Sequence, residues 1–200
     1  MLYAKKEGRV IPLKKMAEFS RVSYDQFKKD WLDTFDALDD VPDDASEDEI
    51  KEHAEEVDKH IRGIYDGIKL PKRATAQSAG YDFFSPMSFV LEPNDSIKIP
   101  TGIRCEMYDG WVLMEFPRSG LGFKYGLSMA NTVGIIDGDY AESDNEGDIF
   151  IKLVNSGPLA QEVRINKGDA FCQGIFVPFG ITLDDNTTEV RHGGLGSTDK

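Results

Sequence analysis

Apolar positions change their period along the chain, and the change divides it. Residues 12–20 read as an extended lead-in strand. Tyr24, Phe27, Trp31 and Phe35 then recur at three- and four-residue steps, which predicts a helix with an aromatic stripe on one face. Ser23-Tyr24-Asp25-Gln26 suits a capping box at its start. Asp39-Asp40-Val41-Pro42-Asp43-Asp44 interrupts the pattern, because proline cannot continue a helix and like charges repel. A second capping box, Ser46-Glu47-Asp48-Glu49, opens a second helix. Its apolar positions are Ile50, Ala54, Val57, Ile61 and Ile64, and it ends over 63–67. From Leu70 the texture becomes short apolar runs at 96–99, 103–107, 111–116, 149–154, 163–165 and 171–177, parted by Gly, Pro, Asn and Asp. Strands this short and frequent predict an antiparallel sandwich or barrel. The expected organisation is a lead-in strand (1–22), an acidic helical insertion (23–67), a β core (68–190) and a glycine-rich C-terminal arm (191–200).

Charge changes this picture only locally. The formal net charge is -13, but residues 30–58 hold fourteen Asp or Glu against the single Lys51. The rest of the chain is balanced, so the acidity does not argue against a phosphate ligand in the β part. No basic face for nucleic acid is visible. No apolar run approaches the roughly eighteen residues of a membrane span. The first residues, Met1-Leu2-Tyr3-Ala4-Lys5-Lys6-Glu7, lack the apolar core of a secretory signal, so a cytoplasmic protein is expected. Cys105 and Cys172 lie outside any metal-ligand spacing and read as reduced thiols.

Five segments of the β part stand out chemically. Ser78-Ala79-Gly80-Tyr81-Asp82 is the first. In Pro117-Arg118-Ser119-Gly120-Leu121-Gly122, glycine lets backbone approach a ligand, Ser119 adds a hydroxyl and Arg118 a charged fork suited to phosphate. In Asn131-Thr132-Val133-Gly134-Ile135-Ile136-Asp137-Gly138-Asp139-Tyr140, Asp137 follows an apolar pair and suits a general base. Asp139, two residues on, would share its face if the chain stayed extended. Gly168-Asp169-Ala170-Phe171-Cys172-Gln173 is the fourth. Arg191-His192-Gly193-Gly194-Leu195-Gly196-Ser197-Thr198 pairs backbone freedom with phosphate donors, without the lysine or spacing of a Walker loop. Each segment alone also reads as an ordinary turn or tail.

Taken in order, the five resemble the motifs of the trimeric all-β dUTPase family, over residues 70–198. That resemblance implies a distorted β-barrel or jelly roll of the β-clip kind, carrying an inserted N-terminal helical hairpin. It implies hydrolysis of dUTP to dUMP and pyrophosphate in three sites shared by a homotrimer, with Mg2+ held mainly by the substrate phosphates. Asp137 would activate the attacking water, while Asp82 would position magnesium waters. Asn131 and the backbone of its hairpin, with Gly134 and Ile136, would read uracil. Tyr140 would pack on the deoxyribose. Arg118, Ser119, Gly120 and Gln173 would hold phosphates. Arg191, Leu195, Gly196, Ser197 and Thr198 would close over them from another subunit.

The match departs from the family pattern in four places. Leu195 replaces the phenylalanine that stacks on uracil, so weaker substrate binding is expected. Arg191 stands one residue from Gly193 where two are usual. A loop over 141–147 follows the third motif, a texture shared with phage or prophage relatives. The block 23–67 reads either as a helical hairpin packed on the core or a neighbouring subunit, or as a docking surface for a basic protein partner. Two other functions fit the same fold. One is a regulatory binding protein. The other is a dCTP deaminase, against which Arg118-Ser119-Gly120 and Asp137 argue.

Overall fold

Antiparallel pairing of short alternating strands builds the body of the molecule. The structure, a computed structural model, describes residues 3–6, 9–12, 14–35, 45–157, 161–191 and 193. The lead-in is three strands rather than one: β1 (Tyr3–Lys6) pairs with β2 (Arg9–Pro12), and β3 (Ala17–Arg21) lies across the later β8 (Ile103–Met107). Pro12 has no N–H to donate to a longer strand. After the helices α1 (Tyr24–Phe35) and α2 (Glu47–Asp66) come β4 (Lys72–Arg73), β5 (Tyr81–Phe84), β6 (Phe89–Leu91), β7 (Ser96–Pro100), β8, β9 (Trp111–Pro117) and α3 (Ser119–Tyr125). The chain continues through β10 (Leu127–Met129), β11 (Gly134–Ile136), a 3-10 turn (Gly138–Glu142), β12 (Phe150–Asn155), β13 (Val163–Ile165) and β14 (Ala170–Pro178).

One sheet has the order β11-β9-β14-β5-β4 and a second β10-β12-β7, with β6 paired to β13. The fold is mainly β, a jelly roll whose sheets do not close into one barrel among the described residues. Phe83, Leu113, Ile151, Leu153 and Phe171 fill the space between the sheets. In β9 the inward face carries Leu113 and, against the pattern, Glu115, which is 1% exposed. No described helix is long and apolar enough to cross a membrane.

The helices pack on each other and on this body. Phe27 and Trp31 of α1 and Ile61 and Ile64 of α2 are buried, while Ile50 is exposed. The Phe27 and Tyr65 rings lie 5.6 Å apart, and Asp58 accepts from Tyr24 Oη at 2.8 Å and Lys28 Nζ at 2.6 Å. Gly102 (φ +67) is where the body admits them, since a Cβ there would lie 2.5 Å from Ile68 and 2.9 Å from Phe27. At α2 the capping box of Ser46 and Glu49 is complete, and Gly67 ends the helix. The expected box at α1 is only half formed. Ser23 Oγ accepts from Gln26 N at 3.1 Å, but the Gln26 amide turns to Asp30 at 2.9 Å. A carboxylate distant in sequence, Glu146, takes the Ser23 backbone N–H instead. The acidic linker at 39–44 lies outside the described residues.

Candidate active site

Two clusters gather the sequence-predicted residues. The first forms where β14 lies between β5 and β9. Register places Gln173 opposite Asp82 on one side and opposite Phe116 on the other. Arg118 leaves the end of β9, and its Nε and Nη2 meet the two oxygens of Asp82 at 3.0 and 3.2 Å. This fork-on-carboxylate geometry fixes the guanidinium plane. Gln173 Nε2 donates to the Pro117 carbonyl at 3.2 Å. Gly80 leaves room for Gln173, because a Cβ there would sit 2.8 Å from Oε1.

The segment after Arg118 is the start of α3 and not a turn. Leu121 and Gly122 N–H groups bond back to the Arg118 carbonyl. Those of Ser119 and Gly120 have no place in the helical ladder, as at any helix start. Both residues are exposed. They line a cavity of about 470 Å³ together with Arg118, Arg164, Asp169 and Ala170. Sequence reasoning passed over Arg164. The signal was its place between Val163 and Ile165, whose burial turns Arg164 to the opposite face of β13.

The second cluster follows β11, which pairs with the outer side of β9. Asn131 lies exposed in the turn before it, with Thr132 at φ +67. The turn is not the expected hairpin. β10 pairs with β12 and β11 with β9, so the chain crosses here from one sheet to the other. Gly134 and Ile136 are buried, and Asp137 emerges immediately after them.

Asp137 and Asp139 do share a face, through the 3-10 turn rather than an extended chain. Arg191 joins them: Nη2 binds Asp137 Oδ2, and Nε donates to Asp139 Oδ1 at 2.9 Å. The guanidinium carbon also stands 5.9 Å from the centre of the Tyr140 ring. The expectation that Arg191 closes over another subunit differs from this placement on its own chain. Here the two half-exposed carboxylates are the charges that offset it.

Tyr140 is buried. Its hydroxyl donates to the Asp148 carbonyl at 2.7 Å and accepts from Asn145 Nδ2 at 3.0 Å. Burial pushes its pKa up to about 12, so it stays a proton donor at neutral pH. The loop over 141–147 is folded tightly behind it, with Ser143 Oγ donating to the Tyr140 carbonyl at 2.6 Å. Among the described residues, no hydrogen bond or ion pair connects the Asp82–Arg118–Gln173 cluster with the Asp137–Asp139–Arg191 cluster. Leu195, Gly196, Ser197 and Thr198 lie outside the described residues.

Comparison with known proteins bears on what this arrangement is for. The dUTPase family profile matches residues 66–199. A deoxyuridine 5'-triphosphate nucleotidohydrolase from Lactococcus lactis is 42% identical over 135 residues, spanning 66% of this chain and 89% of the relative. One from Desulfitobacterium hafniense is 38% identical over 138 residues, spanning 65% and 87%. The crystal structure of a Streptococcus mutans dUTPase superposes with a TM-score of 0.51 at 38% identity, over 58% of this chain and 90% of that one. The dUTPase of Staphylococcus aureus phage phi11 shares the fold at 24% identity, with a TM-score of 0.51 over 64% of this chain and 94% of that one. With this profile spanning β4 to β14 and these relatives matched over most of their length, the chain belongs to the dUTPase family and is a dUTP diphosphatase.

Proposed function

We propose that the two clusters are the complementary halves of one dUTP site, completed between subunits of a homotrimer. The observation that carries this reading is that, among the described residues, no hydrogen bond or ion pair joins them, with groups suited to phosphate in one and a solvent-facing carboxylate pair in the other. Exposed apolar residues after β14, namely Phe179, Ile181, Leu183 and Val190, support it, since such a stretch calls for a covering surface.

In the first half, Arg118, Ser119, Gly120 and Gln173 hold the triphosphate. In the second, Asn131 and the backbone at Gly134 and Ile136 read the uracil edge, where cytosine would leave polar groups unpaired. Tyr140 floors the deoxyribose, and its buried ring leaves no space for a 2′-hydroxyl. Asp137 accepts a proton from the water that attacks the α-phosphorus, and pyrophosphate leaves in line with the attack. Arg191 masks Asp137 in the free chain. Incoming phosphates offer the guanidinium a more concentrated charge, so its transfer to them frees the carboxylate as substrate arrives. Leu195, Gly196, Ser197 and Thr198 complete the closure and exclude water.

The residues fit Mg2+ brought by the substrate. Among the described residues no group of three His, Cys, Asp or Glu is arranged to hold a metal alone, whereas Asp82 is a hard oxygen donor beside the phosphate-binding groups. When bound, the ion offsets phosphate charge that would otherwise repel Asp137. Asp82 would position its waters.

The acidic face of α2 supports a second role for the same protein, as a docking surface for a basic partner. Glu47, Asp48, Glu49, Glu52, Glu55 and Glu56 are all exposed there.

Product analysis with dUTP, dCTP, dTTP and UTP plus magnesium tests the main reading. Release of dUMP and pyrophosphate from dUTP alone, with kcat lowered at least about 100-fold in Asp137→Asn, is expected. Full activity in that variant would remove Asp137 from the chemistry. Turnover of dCTP would assign a different branch of the fold.

A further inference from the structure

We propose that helix α1 is a positioning element of the catalytic segment, fixing the loop behind Asp137 and Tyr140 through Ser23 on Glu146 and Asp30 on Asp148. The inference rests on the roles given to Asp137 and Tyr140 above.

The first link ties the helix start to the loop. Glu146 Oε2 accepts the Ser23 N–H at 2.6 Å, and Oε1 accepts the Ser23 hydroxyl at 2.7 Å. Glu146 itself sits at φ +54, a conformation that a residue with a side chain adopts only when its surroundings impose it.

The second link is a pair of buried acids. Asp148 is fully buried and Asp30 6% exposed, and Asp30 neighbours the Asp148 carboxyl. Gly102 N donates to Asp148 Oδ1 at 2.8 Å, and Gln26 Nε2 donates to Asp30 Oδ2 at 2.9 Å. Oδ2 of Asp148 has no hydrogen-bond partner, and among the described residues no cation pairs with either acid. Burial, then the neighbouring Asp30, raises the pKa of Asp148 well above the carboxylate range.

Asp148 is the residue at which the helix and the active site meet. Its side chain faces α1, while its carbonyl accepts the Tyr140 hydroxyl at 2.7 Å and Asn145 Nδ2 at 3.2 Å. A displacement of α1 therefore moves the group that orients Tyr140, three residues from Asp137. Adhesion alone does not require these contacts. Phe27 and Trp31 already supply apolar burial, and a buried acid pair is costlier than an apolar one. What the polar links add is a fixed register between helix and loop.

The test uses the full chain with Ser23→Ala, Asp30→Ala and Asp30→Asn. Amide hydrogen exchange over 138–148 is read without substrate, and kcat and KM are read with dUTP. Ser23→Ala and Asp30→Ala are expected to raise exchange in that segment and to lower kcat/KM roughly tenfold or more. Asp30→Asn, whose side-chain amide keeps a hydrogen-bonding group beside Asp148, restores both. Unchanged exchange over 138–148, an equal rise across the whole molecule, or unaltered kcat/KM beside faster exchange would each overturn the proposal. Should Asp30→Ala not fold, the exposed Ser23 carries the same test. A wild-type chain that leaves dUTP intact would refute the catalytic roles, while the exchange comparison would still decide the link.

Discussion

Single side chains carry the site, and their chemistry sets how they respond to change. Arg118 meets Asp82 through two parallel bonds, a geometry lysine cannot reproduce. Arg118→Lys keeps the charge but loses the fork, so KM for dUTP should rise about tenfold in steady-state assays. An unaltered KM would mean that only charge matters there. Glu115 is a different case. It is buried beside Gly134, where a Cβ would lie 3.1 Å from Oε2, and Oε1 has no hydrogen-bond partner. Burial raises its pKa to about 8. An unfolded carboxyl gives up its proton near the ordinary value, while the folded one keeps it to about 8. Through that window the folded state holds the extra proton, so stability falls as pH rises and levels off above it. Glu115→Met should flatten this slope and add about 3 kcal/mol at pH 9, measured by urea unfolding across pH. A slope equal to that of the wild type would show that the carboxyl is solvated.

At the scale of elements, α1 and α2 respond to substitution for different reasons. The N-terminus of α2 stands in solvent, where Ser46 and Glu49 satisfy its first N–H groups. Ser46→Ala should cost about 1 kcal/mol of stability and leave kcat/KM unchanged. Phe27 is fully buried between α2 and the body at Gly102. Phe27→Ala should cost about 3–5 kcal/mol, visible as a lowered thermal midpoint. A loss confined to helical circular dichroism, with the β signal melting as in the wild type, would instead mean that the helices fold as a separate unit. Both helices were legible as elements because their period and caps are local. The half-formed cap of α1 was not, since Glu146 is 123 residues away in sequence.

For the whole molecule, the proposed two-halved site makes activity depend on assembly. Sizing by light scattering should give three times the 22.3 kDa chain. A monomer with full activity would contradict the shared site. Ending the chain at Val190 removes Arg191 and the residues after it. The trimer should persist while kcat/KM falls by about 100-fold or more, because closure and phosphate contacts are lost together. Equal activity in the truncated chain would leave the arm without a catalytic part.

By itself the sequence determined the class of fold, the strands at 103–107 and 163–165 to the residue, and the five segments whose order marks the family. These follow from short-range physics: strand alternation, helix period, cap chemistry and the backbone freedom of glycine. Tertiary structure decided what depends on contacts far apart in the chain. It turned Glu115 inward beside Leu113, set Arg118 on Asp82, brought Arg164 to the cavity and placed Arg191 over Asp137. It also set Asp30 beside Asp148, two acids that no charge pattern would bring together. Only burial, which withholds water and raises the Asp148 pKa well above the carboxylate range, lets the two acids lie together.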